Sequence, residues 1–278
     1  MADQNITSND VFDMNNLSYM LQSGIINLVN MQRQQNAQAI GYVQFNLPAQ
    51  MPELPTPRNL IEQQFLGRPS LSLLSLERAF VRIAQDRRIK GIILKSGSFA
   101  MSVAALQTLR DAIMRLRESG KRVVFYTQGY GNAEYYVASA CDEVLMQPGS
   151  TLAPTGLLVQ QTYLKDAFDS VGLTFEVVAV TPYKGALDTF SRNEPSDEGS
   201  EQRNWLLDST FGQIVAGIAS GREMAEDEVR SMIDNAPYTD TEALEKGYVD
   251  ALLSEEALAQ HLGVKEIMLW EQANGVLP

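Results

Sequence analysis

Apolar positions along the chain fall into two alternating rhythms. Leu76, Phe80 and Ile83 recur at i, i+4 and i+7, which predicts a helix ending near Asp86. Leu106, Leu109, Ile113 and Leu116 predict a second helix, closed by Gly120. Tyr163–Val171 reads as a third, ended by Gly172, and Asn132–Ala140 as a short one. Between them lie short unbroken apolar runs that read as buried strands: Gly91–Lys95 (GIILK), Arg122–Thr127 (RVVFYT), Glu143–Gln147 (EVLMQ, stopped by Pro148-Gly149) and Thr174–Val180 (TFEVVAV). A first strand at Ala39–Asn46 precedes an irregular Pro-rich loop over residues 47–58. Strands alternating with helices imply right-handed βαβ units, hence an α/β domain with a largely parallel sheet and helices on both faces.

The last third changes character. Leu207, Phe211, Ile214 and Ile218 mark a long amphipathic helix capped by Gly221, and a second helix spans about Ala225 to Asn235. EALEKGYVD, residues 242–250, reads as a helical turn ended by Gly247, and Val276-Leu-Pro278 closes the chain without a capping element. Asp197-Glu198 and Glu226-Asp227-Glu228 stand where helices begin, favouring the N-terminal dipole, and read as structural.

Residues 1–38 read as an N-terminal helical segment, and residues 39–278 as one domain. Asn15–Gln32 is uncharged, with Leu17, Leu21, Ile25, Leu28 and Val29 roughly on one helical face. Its polar face carries Asn, Gln and Ser rather than the Lys and Arg of membrane-surface helices, which favours packing on its own domain.

Composition narrows the chemistry. With 22 Lys+Arg against 34 Asp+Glu, the net charge of -12 disfavours nucleic acid as a partner. One cysteine, Cys141, excludes an internal disulfide and a multi-Cys zinc site; one histidine, His261, excludes a multi-His metal centre. Proton chemistry is therefore expected on Lys, Asp, Glu or Tyr, with no cofactor. No run of about 20 apolar residues forms an ordinary spanning helix, and Met1-Ala-Asp lacks the basic start of a signal peptide.

Phosphate-binding glycine motifs are absent, and the Gly129/Gly131 pair lacks a third glycine. Two strand-to-helix turns remain. Gln128-Gly-Tyr-Gly-Asn132 follows a buried strand and opens a helix, at the sheet edge where α/β proteins place reactive groups. Thr181-Pro-Tyr-Lys184-Gly185 follows TFEVVAV at the same edge. A lysine sheltered there would be desolvated, which disfavours the ammonium, and only a neutral amine acts as a general base. Most loop lysines are solvated, so spacing alone leaves both readings of Lys184 open.

EYYVASACDEVLMQPGS, TGL, PYKGALDTFSRNEPSDEGSEQ and EALEKGYVD, in this order over roughly residues 40–262, resemble the signal peptide peptidase A family. That family is a serine–lysine peptidase branch of the Clp-protease/crotonase superfamily. The resemblance implies a crotonase-like parallel sheet, peptide-bond hydrolysis and Lys184 as general base. The position matching the family's serine is Asn132, ahead of Ala133-Glu134-Tyr135-Tyr136, and an amide is no nucleophile; Ser139 lies seven residues further, inside the helix. The departure resembles the amino-terminal half of the family's two-domain form, in which another half or subunit supplies the serine within a ring-like oligomer. Gly97 and Ser98 stand where catalytic members carry a Pro-Gly-Gly oxyanion loop, and only the glycine remains. Residual signal peptides and other hydrophobic peptides are the implied substrates, and bacterial membrane association the implied location. The residues themselves are equally compatible with a cytoplasmic or peripheral protein. A non-catalytic scaffold, with Lys184 paired to an acid such as Asp188, is the alternative. A crotonase-type acyl-CoA enzyme is disfavoured, because no basic cluster offers itself to the CoA phosphates.

Overall fold

A computed structural model describes residues 40–56, 71–178 and 180–277; the expected N-terminal helical segment lies outside them. The described elements are β1 (Gly41–Leu47), α1 (Leu73–Gln85), β2 (Ile89–Ser96), α2 (Val103–Glu118), β3 (Arg122–Thr127), α3 (Asn132–Ala138), β4 (Glu143–Met146) and β5 (Thr151–Leu152). Then follow α4 (Lys165–Ser170), α5 (Asp188–Ser191), α6 (Asp197–Arg222), α7 (Glu226–Asp234), β6 (Tyr238–Thr239), α8 (Asp240–Glu245), β7 (Ala251–Leu252), α9 (Leu258–His261), β8 (Ile267–Leu269) and α10 (Trp270–Ala273). Six strands form a sheet in the order β7-β4-β3-β2-β1-β8, every pair parallel. A small antiparallel pair, β5 with β6, sits apart.

The apolar runs are continuous because both sheet faces are covered. Val43, Phe45, Ile92, Leu94, Val123, Phe125, Val144 and Met146 face one way and pack with α1, α2, α3 and α6 in the main core. The alternate residues Tyr42, Ile93, Val124, Tyr126 and Leu145 face the other way, where Leu258 of α9 and Leu262 just beyond it form a thinner cover.

Local chemistry sets the helix ends. Ser72 and Ser102 cap α1 and α2, each side-chain oxygen accepting a backbone N–H three residues on. Gly120 follows α2 at φ +85°, a left-handed conformation that favours glycine. Asp197-Glu198 and Glu226-Asp227-Glu228 occupy the first turns of α6 and α7, as expected.

Three expectations are corrected. Gly221 does not cap the long helix. It lies inside α6, whose left-handed cap is Glu223, and a Cβ at Gly221 would stand 1.9 Å from the Ser139 carbonyl oxygen. This glycine is there so that α6 can lie directly on the end of α3. Nor is Thr174–Val180 a strand: the described residues of this stretch pair with no strand, and Val178 is 97% and Val180 92% exposed. Its β-branched residues have the right propensity, but a strand needs a neighbour to pair with. Finally, the chain's end is anchored. β8 pairs with β1, Trp270 stacks on Phe45 at 4.8 Å, and Arg82 donates to the carbonyl of buried Leu277 at 2.9 Å.

Candidate active site

The strand-to-helix turn after β3 opens α3 at the carboxyl edge of the sheet. Asn132 is the first residue of α3, and its amide clips the loop after β5: its Oδ1 accepts the Gly156 N–H at 3.2 Å and its Nδ2 donates to the Gly156 carbonyl. Gly156 sits at φ +81°, a conformation that L side chains rarely adopt.

The neighbouring Glu134, 6% exposed, joins two turns. Its carboxylate accepts the Gly131 N–H at 3.0 Å and the Phe99 N–H. The first bond is half of a capping arrangement; the second reaches the loop after β2 that holds Gly97 and Ser98. Gly97 and Ser98 are exposed. An amide donor beside them is thus already spent on a carboxylate, so this loop as it stands offers one donor fewer to a developing oxyanion.

The surroundings of α3 are built for rigidity. Buried Arg110 donates to the Tyr136 carbonyl, to Ser139 Oγ at 2.6 Å and to the Gly217 carbonyl at 2.8 Å, tying α2, α3 and α6 together. Its guanidinium lies 4.4 Å from the centre of the Tyr136 ring. Ser139 is fully buried in this knot. The Tyr130 hydroxyl donates to the Leu145 carbonyl at 2.7 Å and that of Tyr135 to the Tyr248 carbonyl at 2.8 Å. Burial pushes both phenols, and the Cys141 thiol, above their ordinary values, so they stay protonated. In the EALEKGYVD segment, Asp250 accepts the Val144 N–H at 2.6 Å and is held by two Arg222 nitrogens at 2.9 and 2.8 Å. These bonds hold α3 against its neighbours.

Lys184 is exposed, on the irregular chain between Val180 and α5. Its backbone N–H donates to the Thr181 carbonyl at 3.1 Å. Asp188, a possible partner, lies instead 3.6 Å from Arg192, and its carboxylate sits under Gly185. Among the described residues no ion pair holds the Lys184 amine, and no hydrogen bond joins it to Asn132 or to the Gly97–Ser98 loop. Hydrogen bonds thus join Glu134 to the loop after β2 and Asn132 to the loop after β5 at the sheet edge, and among the described residues none joins Lys184 to this group.

Lys184 belongs to an arm, residues 157–191, between β5 and α6. Its small core is three rings, with Phe168 4.9 Å from Phe175 and 5.8 Å from Phe190. Arg203 Nη1 donates to Gln161 Oε1 and the Tyr183 hydroxyl to Glu201 Oε2, fastening the arm to the first half of α6. Both arm and helix also expose large apolar side chains: Leu158, Val171, Val178, Val180, Trp205 and Leu206.

Sequence reasoning missed Glu134 and the Asn132–Gly156 clip. The Gly131-x-x-Glu134 spacing carries the helix-capping half of the Glu134 role, since an acid at the third helical position reaches back to the cap. Among the described residues no group of three or more His, Cys, Asp or Glu side chains is placed to hold a metal ion.

Residues 115–266, more than half of the chain, match the family described as peptidase family S49. The chain is similar to the serine protease SPPA, chloroplastic, of Arabidopsis thaliana, 30% identical over 217 residues that cover 76% of this chain and 32% of that protein. It is similar to protease 4 of Haemophilus influenzae, 26% identical over 160 residues, 57% of this chain and 26% of that one. The match thus spans about a third or less of the length of these relatives. Among solved structures, a mutant of the 1510-N membrane-bound stomatin-specific protease aligns with TM-score 0.46 and 14% identity over 81% of this chain and 84% of that chain.

Proposed function

The chain belongs to peptidase family S49, and from that premise we propose that it is the lysine-bearing half of a serine peptidase. Lys184 acts as general base for a serine supplied by another domain or subunit. The serine oxygen attacks the peptide carbonyl while the neutral Lys184 amine takes its proton. The proton passes to the departing amine, and water then releases the acyl group from the serine. Residual signal peptides and other hydrophobic peptides are the substrates we assign.

The observation that carries this reading is the bareness of the arm around a lysine that has no ion pair among the described residues. Val178 and Val180 stand 97% and 92% exposed just before Lys184. A second copy or a second peptidase half that covers these valines also covers the amine, and burial of an ammonium disfavours its charged form. Asn132 at the serine position and Glu134 on the Phe99 amide agree with a half that supplies the base and takes its nucleophile from elsewhere. The same two residues also favour a second reading, a non-catalytic assembly domain.

One experiment separates the two: Lys184→Ala in the complete assembly, with peptide hydrolysis and the unfolding midpoint measured together. Loss of a general base predicts a fall in turnover of about 10²–10⁴-fold with folding intact. Lys184→Arg does not restore it, because a guanidinium stays protonated. Near-normal hydrolysis by the alanine variant leaves only the scaffold.

A further inference from the structure

Beside the Asn132–Gly156 clip runs a groove of about 510 Å³ between the loop after β5, α6 and the end of α7. Leu157, Leu207, Phe211 and Ile233 give it apolar walls, and Asp208 and Asp234 stand at it as its acids. Gly156 belongs to both features: its carbonyl and N–H are held by Asn132, and a Cβ on it would lie 3.6 Å from Ile233 in the groove. The groove therefore begins beside Asn132, the position that the resemblance matches to the family's serine.

We propose that this groove is a peptide-holding site that does not cleave, selective for an extended apolar segment carrying one Arg or Lys. The equivalence of Asn132 to the serine rests on the reading above; the selectivity rests on the groove alone. Both aspartates are exposed, and among the described residues neither takes part in an ion pair or side-chain hydrogen bond. Asp234 is the last residue of α7, where the helix carbonyls already present partial negative charge and a basic residue is the favourable choice; the last turn contains none. The cation beside the groove, Arg230, lies over the Phe211 ring at 5.4 Å and is 3.6 Å from Glu226, so its charge is partly answered already. The apolar walls suit the methylene stem of a long basic side chain and the two acids suit its head, as such side chains bury the stem and keep the charge at the rim. An excess of negative charge over the whole chain, -12, steers cationic peptides the same way. Leading out of the groove, the backbone groups of Leu157, Leu158 and Val159 have no hydrogen-bond partner among the described residues and are free to bond a peptide laid beside them. Asn132 then explains why a peptide held here persists: a carboxamide cannot attack it.

The test is a binding titration by fluorescence anisotropy with this chain. It uses two labelled, end-blocked peptides of leucine and alanine that differ only in one central residue, Arg or Glu. The Arg peptide is expected to bind about tenfold more tightly at low salt, the scale of two exposed charge pairs set against two repulsions, and the gap is expected to shrink at 1 M salt. Asp208→Asn with Asp234→Asn is expected to bring the two peptides within about twofold of each other. Both positions are exposed, and circular dichroism verifies the fold. Equal binding of the two peptides, no binding at millimolar concentration, or a preference unchanged in the double variant overturns the selectivity. Cleavage of the bound peptide by this chain alone overturns the non-cleaving assignment. None of these readings depends on Lys184, whose role is decided by hydrolysis in the complete assembly.

Discussion

The sheet body and the arm at residues 157–191 are built from similar proportions of apolar residues and end in opposite states. In the body, Val43, Ile92, Val123, Phe125 and Val144 are entirely buried, each between neighbouring strands and a covering helix. In the arm, Val171, Leu173, Val178 and Val180 face outward around a core of three rings. Hydrophobic burial scales with area removed from water, at about 25 cal/mol per Å². The body obtains that stabilisation within one chain, whereas the arm leaves much of its apolar area in water. The residue proposed to do chemistry lies on the unsatisfied side, and those that hold the sheet edge rigid lie on the satisfied one.

The sharpest test of the contrast is a truncation in the body. Phe125→Ala on central β3 removes a fully buried ring packed against Phe99 and Tyr130, and is expected to lose about 3–5 kcal/mol by urea unfolding. A loss below about 1 kcal/mol would mean that the body is as loosely packed as the arm. Next in size is Gly221→Ala. The new methyl would sit 1.9 Å from the Ser139 carbonyl oxygen, a backbone atom that cannot swing aside, so α6 must move off α3. Overpacking of this kind loses about 1–3 kcal/mol. An unchanged urea midpoint would show that this contact is not tight in solution.

How much of this was legible in the sequence follows the same division. Local patterns that agree with their surroundings read correctly: the i, i+4, i+7 spacing of α1, the unbroken runs of β2, β3 and β4, and Gly120 after α2. Thr174–Val180 misleads because strand propensity is local while pairing is not. β8 has three residues, too few for any periodicity to show. At the site, the place of Asn132 at the opening of α3 was legible from the strand-to-helix turn before it. The bond from Phe99 to Glu134 joins residues 35 apart and becomes visible only when β2 and α3 are side by side.

A smaller effect tests the body's edge by pH. Burial alone would raise the carboxyl of Asp86. Its hydrogen bonds from Arg88, and the charges of Arg88 and Lys121, outweigh that and hold it below the ordinary 3.8. The lowered folded value means that Asp86 contributes stability in full above its unfolded pKa and loses it as pH falls through the folded one. The urea midpoint should therefore fall less steeply below pH 4 in Asp86→Asn than in the parent chain, with the two curves parallel above pH 6. Equal acid slopes would assign the acid sensitivity to other carboxylates.

The smallest change in stability is expected in the arm, and there smallness is the informative result. Val178→Ser and Val180→Ser alter side chains that are almost wholly in water, with little buried area to lose. In the isolated chain the pair should change unfolding free energy by no more than about 0.5 kcal/mol, the usual range for surface substitutions. Sedimentation of the same samples decides what the number means. A monomer with an unchanged midpoint places the arm's deficit outside the chain, to be met by a second half. A midpoint that drops with dilution of the parent chain, and no longer does so in the variant, shows that another copy already covers these valines, since binding to the folded state adds stability by mass action. A large loss in a strict monomer would break the comparison itself, because the arm would then be packed on its own body in solution and Lys184 would have no open surface for a partner to close.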